Sequence, residues 1–157
     1  MNVAIFTRVS TNDQSAERQV NDLRSFCTKQ GWNITNEITE TVSGVKLNRD
    51  RIGVQELFTL AAQKQVQKIV ITEISRIGRN VAEGVQIIEA LTASGVSIYV
   101  QNIGMETLLA DGRPNFMFKP ILLTLMGFAE MERELLRERI KSGLETAKRR
   151  GKSLGRP

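Results

Sequence analysis

The sequence predicts an α/β fold: a mainly parallel four- to five-stranded sheet flanked by helices and followed by a long C-terminal helix. Three observations predict it. Short apolar runs without helical spacing, Val3-Ala4-Ile5-Phe6 and Ile69-Val70-Ile71, suit strands covered on both faces, as in a parallel sheet. Amphipathic stretches with three- and four-residue spacing alternate with strand-like runs, which is the βαβα order of an α/β domain. Past residue 114 a single helical pattern continues to Arg150.

Each element has its own signals. The first strand begins at Val3 and delivers Arg8-Val9-Ser10 at its carboxyl end. Thr11-Asn12-Asp13-Gln14 has capping-box spacing; Ala16, Val20, Leu23 and Cys27 then line a helix until Gly31, a stop signal. Residues 34–42 read as a second, more polar strand and 43–50 as a polar loop. Val54, Leu57, Phe58 and Ala61 mark a short helix, and 68–74 the third strand. Asn80 with Glu83 is another cap signal, and Val81, Val85, Ile88 and Leu91 share a helix face up to Gly95. Residues 96–101 form the fourth strand. The stretch 102–115, with Gly104, Gly112 and Pro114, reads as a long, mobile loop.

The last helix spans residues 115–150, with Leu122, Met126, Ala129, Arg133, Leu136, Ile140, Leu144 and Ala147 at three- or four-residue spacing. About 30 residues at 1.5 Å each make a rod of roughly 45 Å, longer than a domain of this size covers. Its first half is apolar nearly all round and calls for burial on several sides. The simplest partner is the same helix in a second copy, giving a homodimer. Its second half is amphipathic and basic, and residues 151–157 begin an extended segment.

Composition narrows the chemistry. The 157 residues contain no His and one cysteine, Cys27. A Ser-His-Asp triad, a His-ligated metal, an internal disulfide and a Cys-rich zinc site are therefore excluded. Cys27, on an apolar helix face, reads as core packing. The net charge of +5 is unevenly spread: residues 133–157 hold nine Lys or Arg and three Glu, so the first 132 residues are close to neutral. A basic segment after a neutral body suits a polyanion, and nucleic acid fits better than a membrane. No leader is visible, and no run approaches about 18 apolar residues, so a cytoplasmic protein is expected.

In a parallel α/β sheet ligands bind beyond the carboxyl ends of the strands. Arg8 and Ser10 leave the first strand there on one side, because strand side chains alternate. The third strand leads into Ser75-Arg76-Ile77-Gly78-Arg79, and the loop after the second offers Arg51. Alone, Ser10 reads as a helix cap and each arginine as a surface residue. Together they place several guanidiniums around one hydroxyl. The guanidinium fork matches phosphate oxygens and keeps its charge, so the group points to phosphoryl chemistry. Gly151-Lys152-Ser153 is not a nucleotide loop, since Thr146 stands where that motif needs Gly.

In this order, Arg8-Val9-Ser10-Thr11, Ser43-Gly44 with Asp50-Arg51-Ile52-Gly53, Arg76-Ile77-Gly78-Arg79, Glu132-Arg133 with Glu138-Arg139, and Gly155-Arg156-Pro157 resemble the resolvase/invertase family of serine recombinases, over essentially the whole chain. The resemblance implies a catalytic domain that cuts and rejoins DNA through a 5′-phosphoserine on Ser10, without metal, ATP or other cofactor. It implies that Arg8, Arg76 and Arg79 hold the scissile phosphate, that Arg51 supports it, and that Gln14 and Gln19 orient the site. Residues 1–114 would be the α/β catalytic core, 115–150 a dimerising and DNA-contacting helix of the same domain, and 151–157 the start of a linker to a C-terminal DNA-binding domain absent from this chain. Arg133, Arg139, Lys141, Lys148, Arg149, Arg150 and Lys152 would follow the DNA backbone and lead Arg156 toward the minor groove, with dimers assembling to a tetramer on DNA. Two departures stand out: Ser75 occupies a position where the family usually has Asp, and Phe6 one where Tyr is common. The alternatives are a metal-dependent DNA nuclease and a non-catalytic DNA-binding or dimerising α/β module.

Overall fold

The computed structural model describes residues 1–10, 13–42 and 51–151, with side chains described at 1–9, 17–41 and 51–151. The strands are β1 (Asn2–Ser10), β2 (Asn33–Val42), β3 (Lys68–Ile71), β4 (Ser97–Val100) and β5 (Met105–Glu106). The helices are α1 (Asp13–Lys29), α2 (Ile52–Ala62), α3 (Ile74–Ile77), α4 (Val81–Ala93) and α5 (Phe118–Arg149). The sheet order is β2-β1-β3-β4-β5, parallel except for β5, which runs antiparallel to β4. This is the α/β arrangement expected from the alternating runs.

Strand alternation sorts β1 onto two faces. Val3 and Ile5 pack with Leu23 and Cys27 of α1 and with Val70, and the rings of Phe26, Trp32 and Tyr99 close the edge of that cluster. Cys27 is fully buried there, and burial pushes its thiol up from the ordinary range. The other face carries Phe6 and Arg8. At the start of α2, a Cβ on Gly53 would lie 3.0 Å from the Phe6 ring and 3.2 Å from Ile38. The glycine thus lets α2 lie close over β1 and β2, which brings Arg51 with it.

Three boundaries differ from expectation, each for a physical reason. The third strand stops at Ile71 rather than Ile74, because Ile74 and Ile77, both buried, have the i, i+3 spacing of a single helical turn, α3. The stretch expected to be a long loop carries a 3-10 turn and β5. Thr107 ties it down: its N–H donates to the Ile98 carbonyl at 3.0 Å and its Oγ1 accepts from the Ile98 N–H at 3.0 Å. Glu106 also pairs with the buried Lys68, whose Nζ lies 4.3 Å from the Trp32 ring centroid. The last helix starts at Phe118, not 115, because Asn115 is spent on the preceding segment. Its Nδ2 donates to the Glu106 carbonyl at 2.9 Å and its Oδ1 accepts from the Met117 N–H at 3.1 Å.

The chain divides into two compact units, Met1–Lys119 and Pro120–Pro157. The first holds the sheet and α1 to α4. In the second, α5 runs to Arg149 and stops at Gly151, whose φ of 71° only glycine adopts without strain. Phe128, Met131, Leu135, Leu136, Ile140 and Leu144 are exposed along it. No helix among the described residues is long and apolar enough to cross a membrane.

Candidate active site

The order β2-β1-β3 makes the carboxyl ends of β1 and β3 a topological switch point, because the chain turns to opposite sides of β1 when it builds those neighbours. Arg8 lies near the end of β1, and Ser10 is its last residue, with its Cα opposite that of Val42. The Arg76-Ile77-Gly78-Arg79 turn follows β3. The expected crevice therefore has its arginines at the switch point.

Arg8 is Cα-paired with Glu40 on β2, so the two share a sheet face. Its Nη1 donates to the Gly78 carbonyl at 2.7 Å. Arg51 does similar work from the start of α2: its Nε donates to Glu40 Oε2 at 2.8 Å and its Nη2 to the Ile77 carbonyl at 2.9 Å. Glu40 is buried and the Arg51 side chain is nearly so. Thus two arginines from β1 and α2 brace consecutive carbonyls of the third arginine motif. Burial lowers the Arg8 pKa from its ordinary value, and the charges of Arg51 and then Arg76 push the same way, against Glu40 and Glu83. A guanidinium whose charge is disfavoured by burial and by neighbouring cations gains from an anion placed beside it.

The motif itself is held by backbone packing. A Cβ on Gly78 would lie 2.2 Å from the Gly84 N atom, and one on Gly84 would lie 2.8 Å from the Ile74 carbonyl oxygen. Two glycines therefore let α3 and the first turn of α4 touch. Asn80 caps α4, accepting the Glu83 N–H at 2.9 Å, as its spacing predicts. Glu83 Oε2 in turn accepts the Arg79 N–H at 2.6 Å. Its Oε1 lies 3.9 Å from both Arg51 Nη1 and Arg79 Nε.

Arg76 and Gln19 line one cleft of about 360 Å³ with Thr72, Glu73, Gln101 and Asn102. Arg76 Nη2 lies 2.9 Å from Glu73 Oε1. The structure thus gathers Arg8, Arg51, Arg76 and Arg79 around β1 and β3, with Gln19 beside Arg76. Gln14 lies in α1, and its side chain, like that of Ser10, lies outside the described residues. So do Thr11, Asn12, Lys152, Arg156 and the 43–50 loop with Ser43-Gly44. Arg133, Arg139, Lys141, Lys148 and Arg149 are exposed on α5, and Arg150 is exposed just after it.

Sequence reasoning missed the acids. Glu40, Glu73 and Glu83 each engage an arginine of the group. A signal existed for Glu40, which follows Ile38 at strand spacing on the same face. One existed for Glu73 as well, since the rule that searches strand ends for arginine applies equally to carboxylates.

The family model described as "Resolvase, N terminal domain" matches residues 3–153. A resolvase of Clostridium perfringens is 32% identical over 155 residues, spanning 97% of this chain and 75% of its own. The serine recombinase PinR of Escherichia coli K12 is 30% identical over 154 residues, spanning 97% and 73%. Among solved structures, the N-terminal catalytic domain of TP901-1 integrase is 27% identical with a TM-score of 0.63, covering 86% of this chain and 98% of that one. A resolvase-family site-specific recombinase from Streptococcus pneumoniae shares the fold at 22% identity, with a TM-score of 0.61 over 95% and 99% of the two chains. With this family match over nearly the whole chain, the chain is a member of the resolvase family of serine recombinases.

Proposed function

We propose that this chain is the catalytic domain of a site-specific DNA recombinase in which Ser10 is the nucleophile. The observation that carries the reading is the convergence of Arg8, Arg51 and the Arg76–Arg79 turn where β1 ends in Ser10. The Ser10 oxygen attacks phosphorus, the bond from phosphorus to the 3′ oxygen breaks, and the serine proton leaves to solvent or a nearby base. The products are a 5′-phosphoserine ester and a 3′ hydroxyl once that oxygen takes up a proton. Charge builds on the non-bridging oxygens, and Arg8, Arg76 and Arg79 are the donors that stabilise it. Loss of one such preorganised donor typically costs about 3 to 4 kcal/mol of barrier. Arg51, braced on Glu40, supports the turn, and Gln14 and Gln19 orient the site. Because the ester keeps the bond energy, religation by the 3′ hydroxyl of another strand needs no ATP.

Residues 1–114 serve as the catalytic core, 115–150 as the dimerising and DNA-contacting helix, and 151–157 as the start of a linker. The exposed apolar side chains of α5 support a homodimer that assembles to a tetramer on DNA. Its exposed basic residues support phosphate-backbone contacts, with Lys152 and Arg156 continuing them toward the minor groove. A protein that works on chromosomal or mobile DNA in this way belongs in the cytoplasm, with the nucleoid. The test is cleavage of a supercoiled plasmid carrying the DNA that flanks the gene, in excess chelator. Undiminished cleavage supports serine chemistry; a strict requirement for divalent metal overturns it in favour of a nuclease.

A further inference from the structure

Glu73 precedes α3 at its N-cap position, yet its side chain accepts no hydrogen bond from the backbone of that helix. Its carboxylate is engaged elsewhere. Glu73 Oε1 accepts the Ser75 hydroxyl at 2.8 Å and lies 2.9 Å from Arg76 Nη2. One oxygen thus gathers a neutral donor and a charged one, and Ser75 fixes the rotamer from which Glu73 meets the guanidinium. At its other end, Arg76 Nε is buried with no hydrogen-bond partner among the described residues. Gln19 Oε1 and Thr72 Oγ1, whose residues line the same cleft, are in that state too.

We propose that Glu73, held by Ser75, is the positioning residue of Arg76: it anchors the outer nitrogen so that the guanidinium plane stays turned toward the cleft at the end of β3. This rests on the reading of Arg76 as a ligand of the scissile phosphate. The pair is not a stability device. Both side chains are 39% exposed, and exposed ion pairs add little to folding. Its value is orientational, since misplacing a reacting group by about 1 Å costs on the order of 100-fold in rate. A carboxylate beside Arg76 repels a phosphate, so Glu73 lowers ground-state affinity while raising the rate. That split separates positioning from simple binding.

The experiment compares the unaltered chain with Glu73→Gln, Ser75→Ala and Glu73→Gln/Ser75→Asp. Three readouts are followed: covalent adduct formation on the supercoiled plasmid, DNA affinity, and the Arg76 Nε–H correlation in nitrogen-15 NMR spectra. Glu73→Gln is expected to slow adduct formation by about 10- to 100-fold, to leave affinity equal or tighter, and to shift or broaden the Arg76 signal. Ser75→Ala, which keeps every charge, gives a smaller slowing in the same direction. An Asp at position 75 places its own oxygens near the point where Glu73 Oε1 sits, so the double variant regains rate and signal. A Glu73→Gln chain with an unchanged rate and an unchanged Arg76 signal overturns the proposal, as does a double variant that stays as slow as the single one. If the unaltered chain forms no adduct, the recombinase reading itself has failed. The NMR comparison then still decides whether Glu73 positions Arg76.

Discussion

Arg8 Nη1 and the Gly78 carbonyl meet at 2.7 Å across 70 residues of sequence. This bond joins the strand that ends in Ser10 to the turn that carries Arg76 and Arg79, so the two arginine motifs are one structural unit. Arg51 adds a second strut on the preceding carbonyl, that of Ile77.

Gly78→Ala tests that unit. The φ of Gly78, −117°, is open to any residue, so the cost is steric: the new Cβ would meet the Gly84 N atom at 2.2 Å. Backbone must move to relieve it, for a destabilisation of about 1 to 3 kcal/mol. Urea denaturation is expected to show that loss. Adduct formation should fall by more than stability alone explains, because Arg76 and Arg79 move with the turn. A fully active Gly78→Ala chain would contradict the bracing role.

The Arg51–Glu40 pair makes a different prediction. Arg51→Ala leaves a buried carboxylate without its partner, a change that costs about 3 to 5 kcal/mol. Arg51→Met with Glu40→Leu removes both charges and is expected to recover most of the stability, while activity stays low because the strut to Ile77 is gone. Thermal melts and cleavage assays on the two variants separate these effects. Equal stability of the two variants would show that burial of the lone charge is not the cost.

For α5, binding to a duplex should weaken steeply with salt. Each of Arg139, Lys141, Lys148 and Arg149 changed to Gln should reduce the slope of log affinity against log salt by about one. A slope that ignores all four substitutions would remove this helix from the DNA interface.

Phe128 and Leu136 stand 59% and 51% exposed, too much apolar surface to leave in water along one helix. Phe128→Asp with Leu136→Arg is expected to shift sedimentation toward the monomer without lowering the melting temperature of the sheet unit. An unchanged distribution between monomer and dimer would place the association surface elsewhere.

The arginines were legible because their chemistry is distinctive and because strand ends can be located from apolar runs. Arg8, Arg51, Arg76 and Arg79 come together for that reason. Glu40, Glu73 and Glu83 were not, since an acid on a polar strand or in a helix's first turn has ordinary roles. The Glu73–Arg76 and Glu83–Arg79 pairs are local, at i,i+3 and i,i+4, whereas Glu40 meets Arg51 only because β2 and the start of α2 come together. The end of β3 was misplaced because Ile74 extends an apolar run that reads as strand. Its partner Ile77 is what makes the turn helical. The start of α5 moved because Asn115 accepts the Met117 N–H and is tied to Glu106 of β5, a strand of two residues too short to announce itself.

Under the proposed function, Ser10 forms a covalent bond to DNA. The direct measurement is to quench a cleavage reaction on supercoiled plasmid, digest the trapped protein and locate the nucleotide adduct by mass spectrometry, with Ser10→Ala alongside. The expected result is a phosphodiester between DNA 5′ ends and the peptide containing residue 10, absent from Ser10→Ala. An adduct on another residue, or one that survives in Ser10→Ala, would contradict it.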